Sequence, residues 1–484
     1  MRICFPASEV APFSKTGGLA DVSGALPREL ARAGHEVRVF TPLYDAIDRG
    51  RHRIVPFDPV RRVAVALGRR TYFFSLATTE SPTPGHRVFL VDCPELFGRG
   101  EIYSTAPDEP QRFALFSRAV FESCQRMRWA PEVLHCHDWH TALIPLLRKT
   151  VYAWDDAIFG GCRTMLTIHN LGYQGLFGAD VVDAVGLGDQ RALVDQDDLS
   201  HGRFNFLRTG LLHADLVSTV SPTYAREIQT AAYGMGLAPL LRARGDRLVG
   251  ILNGVDHDEW DPESDPFLPH HFSANNLAGK RLIRRDLLER LRLSDVADAP
   301  LVAIVSRLVP QKGFDIAFPV LPPLLAGRRI GLVVLGQGDA HYHDFFAGLE
   351  RRFSGRVVFH QGYSTELAHV IEAAADIFLM PSQYEPCGLN QLFSLRYGTI
   401  PLVRRTGGLA DSVEHFDGRA NSGTGFVFEH YTSDGLAWAL EQALATFGDK
   451  PRWRRLVVNA MSVDFSWRHQ AQRYVETYER LTGG

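Results

Sequence analysis

The hexapeptide Thr16-Gly17-Gly18-Leu19-Ala20-Asp21 recurs letter for letter as Thr406-Gly407-Gly408-Leu409-Ala410-Asp411. In both places an apolar run precedes the glycines and a helical pattern follows them. Glycine pairs let a backbone approach a ligand, and a helix start aims N–H groups at negative charge. One copy alone is compatible with a strand-to-helix turn that merely needs glycine. Two copies, one preceded by Lys15, point to an anion or sugar site served by both halves. Each half must then contain a strand, a turn and a helix, the building unit of a parallel sheet.

The remaining pattern agrees with that unit. Residues 2–7 predict a strand, 19–33 a helix that Pro27 should bend or split and Gly34 ends, and 36–41 a second strand. Residues 63–67 and 71–76 predict a hairpin about Gly68-Arg69-Arg70, with further strands at 87–91, 133–136, 164–168 and 216–220. In the second half, apolar runs at 301–305, 330–335, 357–360, 377–380 and 400–403 alternate with helical stretches, the rhythm of a doubly wound parallel sheet. Residues 253–269, with Trp260-Asp261-Pro262, Pro266 and Pro269, interrupt regular structure. For 484 residues the expectation is an α/β chain of two domains, 1–252 and 253–463. Residues 464–484 carry an amphipathic helix that can pack on either domain.

Composition excludes several classes. With 52 basic and 55 acidic side chains the net charge is −3, so no basic surplus marks a nucleic-acid partner. No run of about 18 apolar residues predicts a membrane span, and no leader pattern opens the sequence. The six cysteines have no zinc spacing and read as reduced, mostly buried thiols. A cytoplasmic protein is expected.

Arg307 and Lys312, with Pro310 and Gly313 shaping their loop, suit a diphosphate; two ordinary surface cations are the bland alternative. Gly336-Gln337-Gly338-Asp339 reads as another glycine loop after a strand, without the third glycine of a dinucleotide fingerprint. Glu385 suits sugar hydroxyls or an anomeric carbon gaining positive charge, or simply a helix start. Cys387 has no neighbouring base and reads as structural or substrate-packing. His135, His137, Asp138, Trp139 and His140 gather at a strand end in no common zinc pattern. They read as a polar and aromatic sugar wall in which the Trp139 ring stacks, and His169 ends another strand where it can join the same site.

Several motifs now stand in order: Lys15-Thr16-Gly17-Gly18-Leu19-Ala20-Asp21-Val22, His137-Asp138-Trp139, Thr167-Ile168-His169-Asn170, Asn253-Gly254, Arg307 with Gln311-Lys312-Gly313, Glu385-Pro386-Cys387-Gly388-Leu389 and Arg405-Thr406-Gly407-Gly408-Leu409. Over essentially the whole chain this resembles bacterial glycogen synthase and plant starch synthase, ADP-glucose-dependent retaining glucosyltransferases. The resemblance implies a GT-B fold: two Rossmann-like doubly wound domains facing a central cleft, with the last helix crossing back onto the N-terminal domain. It implies glucose transfer from ADP-glucose to the non-reducing end of an α-1,4-glucan, with no cofactor and no metal. Arg307 and Lys312 would neutralise the departing diphosphate, helped by Thr406, Gly407, Gly408 and Leu409, while Lys15 and Gly18 would reach it on closure. Gln311 would join the donor site, and Tyr363 resembles the aromatic that stacks on adenine. Glu385 would bind the transferred glucose beside Cys387 and Gly388. Asp21, Asp138, Trp139, His169, Asn170 and Asn253 would line the sugar and acceptor side, with the His169 carbonyl stabilising an oxocarbenium-like transition state. Where the wider retaining pattern has a second glutamate, this chain has Phe393, as in an aromatic variant.

Two other readings use the same motifs. A nucleotide-sugar epimerase would need an acid/base pair at the anomeric carbon and no acceptor groove. A non-catalytic sensor would not need Lys15, Arg307, Lys312 and Glu385 together.

Overall fold

The computed structural model describes residues 1–483 and divides into two compact units. The first comprises Met1–Val220, Ala225–Ile251 and the segment from Trp467 on; the second comprises Ser221–Tyr224 and Leu252–Ser466.

The strands of the first unit are β1 (Arg2–Pro6), β2 (Glu36–Pro42), β3 (Val55–Pro56), β4 (Val63–Leu67), β5 (Arg70–Thr79), β6 (His86–Asp92), β7 (Val133–His137), β8 (Arg163–Ile168), β9 (Leu176–Gly178), β10 (Arg203–Asn205), β11 (Leu216–Thr219) and β12 (Leu248–Gly250). Ten of them form one sheet, with β9 and β10 pairing separately. From β1, parallel strands run outward as β2 and β6 on one side and as β7, β8, β11 and β12 on the other. The winding therefore reverses between β1 and β7, where sheets of this kind bind ligands. The expected hairpin is β4–β5, antiparallel, with Gly68 in a left-handed turn. In β4 the exposed residues alternate with Val63, Val65 and Leu67 inside.

The second unit holds β13 (Leu301–Leu308), β14 (Gly331–Gly338), β15 (Val357–Gln361), β16 (Ile377–Met380), β17 (Ile400–Arg404) and β18 (Phe426–Phe428), all parallel. From β13 the order runs through β14 to β15 on one side and through β16 and β17 to β18 on the other. Leu301 to Val305 are buried without alternation, as a central strand covered on both faces requires.

Two expectations change. Pro27 neither splits nor ends its helix, which runs unbroken from Gly18 to Arg32. Proline costs one ladder bond, and the buried face of Val22, Ala25, Leu26 and Leu30 holds the helix through it. Gly336-Gln337-Gly338 is strand, not loop, paired with Ser306-Arg307-Leu308. A Cβ at Gly336 would stand 2.3 Å from the Ser306 carbonyl oxygen and one at Gly338 2.0 Å from that of Leu308. The glycines there serve close strand approach.

The helix Trp467–Thr482 buries Trp467, Ala471, Tyr474 and Tyr478, and the Tyr478 hydroxyl hydrogen-bonds His135 Nδ1 at 2.7 Å inside the first unit. In the second unit Trp260 lies between His369 and Phe393, with ring centroids 3.6 and 3.9 Å away. The Asp265 carboxylate there meets His369 Nδ1 at 2.7 Å and accepts from the Tyr397 hydroxyl at 2.5 Å. The proline-rich segment is irregular but firmly anchored.

Candidate active site

In the second unit β13 and β16 flank the reversal of winding, and the loops leaving them carry the predicted chemistry. A 3₁₀ turn, Pro310–Lys312, follows β13 and leads into Gly313 at φ +70°. A Cβ on Gly313 would stand 2.2 Å from the Pro381 carbonyl oxygen, so glycine at this position lets the two loops come this close. The Gln383 amide donates to the Gln311 carbonyl at 2.9 Å, and Gln311 Nε2 to the Tyr384 carbonyl at 3.4 Å. This stitching delivers Lys312 Nζ to Glu385 Oε2 at 2.6 Å, where the Ser382 hydroxyl also donates at 3.0 Å. Glu385 is 5% exposed. Sequence spacing assigned the two residues separate tasks and gave no sign that they form one ion pair.

Arg307 is the penultimate residue of β13 rather than a loop residue, and its side chain is exposed. Tyr363, just beyond β15, is 65% exposed. Burial pushes the Cys387 thiol up to about 12, against a smaller opposing effect of the Asn253 backbone N–H. The sulfur is a protonated packing group, and Asn253, itself buried, is its neighbour. Gly388 sits at φ +74° with a Cβ position 2.3 Å from Gln391 Oε1. Phe393 is core, stacked on Trp260.

The two identical hexapeptides differ in surroundings. At Gly407, φ is +44° and a Cβ would lie 1.9 Å from the Glu385 carbonyl oxygen; at Gly408 it would lie 2.1 Å from that of Cys387. This turn needs glycine because the Glu385–Cys387 backbone presses on it. Its Gly408 amide donates to the Glu385 and Pro386 carbonyls, both at 3.1 Å, and its Leu409 amide to the Thr406 carbonyl at 3.1 Å. The helix Gly407–Ser412 spans only six residues, so little dipole stands behind those amides. This corrects the expectation of an anion-aimed helix start in the second copy. Asp411 instead accepts from the Thr223 amide at 2.7 Å and the Thr223 hydroxyl at 2.6 Å, an anchor that sequence gave no hint of.

In the first copy Gly17 is extended at φ −158°, and nothing lies within 4 Å of its Cβ position. Lys15 and Asp21 form an ion pair at 2.5 Å. The turn's other partner is Glu9, which sequence reasoning passed over. Its buried carboxylate accepts from the Thr16 amide, from Thr16 Oγ1 at 2.7 Å, from the Gly17 amide at 3.2 Å and from the Tyr103 hydroxyl at 2.5 Å.

On the far side of this switch point, after β7, Asp138 stands at φ +52°, uncommon for a residue with a side chain. Its amide donates to the Thr167 carbonyl at 2.9 Å and its carboxylate accepts from the His169 amide at 2.7 Å. Burial pushes Asp138 up to about 7, opposed by the His169 and Asn170 amides. Burial also lowers His169 to about 3, so its ring is neutral; its Nε2 meets His137 Nδ1 at 3.0 Å. Asn170 Oδ1 accepts from the Gly172 amide at 3.0 Å. Trp139 does not form an open stacking wall. Only 9% exposed, it packs edge-on to Phe113, Phe177 and Phe206, and a Cβ on Gly175 would lie 2.5 Å from its ring.

Two doubly wound units whose switch points carry glycine turns, cations and buried carboxylates are the make-up of a glycosyltransferase. Residues 291–455 match the family described as glycosyl transferases group 1, and residues 2–243 match the starch synthase catalytic domain. The chain is 45% identical over 484 residues to a glycogen synthase of Koribacter versatilis (strain Ellin345), covering 99% of this chain and 98% of that one. It is 46% identical over 490 residues to a glycogen synthase of Anaeromyxobacter dehalogenans (strain 2CP-C), covering 99% and 100%. Among solved structures, the catalytic domain of starch synthase IV from Arabidopsis thaliana, bound to ADP and acarbose, superposes with a TM-score of 0.92 at 35% identity, covering 100% and 99%. A sucrose-phosphate synthase from Thermosynechococcus elongatus, at 18% identity and TM-score 0.62 over 100% and 99%, shares the fold. The chain belongs to the glycogen and starch synthase family and has the GT-B fold. It is a hexosyltransferase, and full-length kinship with synthases does not favour the epimerase reading. No described helix is long and apolar enough to cross a membrane.

Proposed function

We propose that this chain extends α-1,4-glucan with glucose from ADP-glucose, retaining the α configuration, and that it works in the cytoplasm. The partly buried Lys312–Glu385 pair beside the glycine turn carries the reading. An ammonium has three donors; one is committed to Glu385, and the others serve the diphosphate as its bond to glucose breaks. Arg307 adds a second cation, while Tyr363 stacks on adenine. Glu385, held by Lys312 and Ser382, orients the glucose beside Cys387 and Gly388. Thr406 and Gly407 shape the donor side together with Gln311.

Lys15 and Gly18 are donor-binding residues of the first unit. Asp21, Asp138, Asn170 and Asn253 serve the acceptor side, and Trp139 shapes that side from within. The functional division runs 1–252 for the acceptor side, 253–463 for the donor side and 464–484 as the closing helix.

Attack by the acceptor hydroxyl comes from the face the diphosphate leaves, and the leaving phosphate takes its proton. The His169 carbonyl supports the transient positive charge. Preorganised donors aimed at developing charge are worth roughly 10²–10³-fold each in rate. No step calls on a metal. The test is labelled glucose incorporation into glycogen from ADP-glucose or UDP-glucose, with and without EDTA. Incorporation from ADP-glucose that persists in EDTA is expected; strict dependence on a divalent ion or on UDP-glucose overturns the reading.

A further inference from the structure

We propose that Glu9 is a positioning residue for the transfer, holding the Lys15-Thr16-Gly17-Gly18 turn in the shape that presents Lys15 and Gly18 to the donor. The inference rests on the donor-binding role proposed for those two residues. All four turn residues are exposed, whereas Glu9 is 3% exposed. A Gly-Gly turn has wide backbone freedom, and packing does not restrict it here, since the Cβ position of Gly17 is open. Two acidic groups hold the turn, Asp21 through the Lys15 ammonium and Glu9 through the backbone: Glu9 Oε2 takes the Thr16 and Gly17 amides, and Oε1 takes the Thr16 and Tyr103 hydroxyls. Hydrogen bonds to an ionised acceptor are about twice as strong as neutral ones.

Tyr103 completes the device. Burial, and then the neighbouring Glu9 charge, push its phenol well above the ordinary value, so it remains a donor. Its oxygen also meets Ser8 Oγ at 2.9 Å, which ties the carboxylate to a second segment. With the Thr16 and Gly17 amides committed to Glu9, the turn offers the donor Lys15 and Gly18. Glu9 acts through the turn and touches no reacting atom.

The test uses the full chain and ADP-glucose with glycogen. Glu9→Gln keeps the size but removes the charge, and should lower kcat/KM for ADP-glucose about tenfold; Glu9→Ala should lower it about 100-fold. In a Lys15→Ala background Glu9→Gln should cost less than about threefold, because only Gly18 is then left for the turn to present. An equal loss in both backgrounds, or no loss beside an intact Lys15, overturns the proposal. Amide exchange of residues 14–19 reads the hold without activity: Glu9→Gln should raise it about tenfold or more, and an unchanged rate refutes it. Failure of the wild-type chain to use ADP-glucose would instead fault the proposed function.

Discussion

Replacing Lys312 with alanine strands the Glu385 carboxylate in a site where it is 5% exposed and keeps only the Ser382 hydroxyl among its side-chain donors. At the observed 2.6 Å, an effective dielectric of about 20 gives roughly 6 kcal/mol of gross attraction. Desolvation of both ions offsets much of that, and losing one partner of a fully buried pair costs about 3–5 kcal/mol. The Lys312 side chain is 17% exposed, so water can reach the pair and about 1–3 kcal/mol is the fitting range. A loss of about 2 kcal/mol lowers Tm by roughly 4–8 °C in a unit of this size. Adding Glu385→Gln removes the stranded charge, so the double variant should regain most of that Tm. Turnover should behave differently: Lys312→Ala loses about 10²–10³-fold, and the double variant recovers none of it. Scanning calorimetry beside labelled-glucose incorporation reads both quantities. Near-normal turnover in Lys312→Ala, or a double variant that regains Tm and activity together, would refute the reasoning.

Gly17→Ala should leave Tm within about 1 °C of wild type, because its Cβ position is open and its φ is extended. Gly407→Ala should cost about 2 kcal/mol or more, since its Cβ would meet the Glu385 carbonyl at 1.9 Å and φ is +44°; equal Tm values for the two variants would contradict the contrast. Phe393→Glu should abolish cooperative thermal unfolding of the second unit rather than create a second catalytic carboxylate, because it buries an unpaired charge against Trp260; a folded variant with enhanced turnover would show otherwise. Asp138 is raised from about 4 to about 7, so the folded chain binds its proton more tightly than the unfolded chain does. Its contribution is full below about pH 4 and is lost as pH rises through 7. Denaturation of wild type and Asp138→Asn across that window should show wild type losing ground steadily; parallel curves would count against a raised Asp138.

The alternating strands and helices of the second unit were legible because central parallel strands are apolar on both faces, as residues 301–305 show. Strands of two or three residues, such as β3, β12 and β18, were not, since so short a run carries no period. Gly336-Gln337-Gly338 misled because glycine marks loops and tight strand approaches alike, and only the neighbouring backbone tells them apart. Residue types at the site were legible, but the couplings were not. Lys312 and Glu385 are 73 residues apart, and Thr223 and Asp411 are 188 apart. Glu9 lies seven residues from Thr16 and showed no spacing signal, because its role arises from a fold-back of the chain. The letter-for-letter repeat also hid two different physical reasons for glycine: an open, suspended turn in one copy and a crowded backbone in the other.

The most direct measurement is the fate of ADP-glucose and a short maltooligosaccharide followed together by proton NMR. One ADP released for each new α-1,4-linked glucose at the non-reducing end is the predicted result. Conversion of the sugar nucleotide without chain growth, or growth through a β-linkage, would contradict the account.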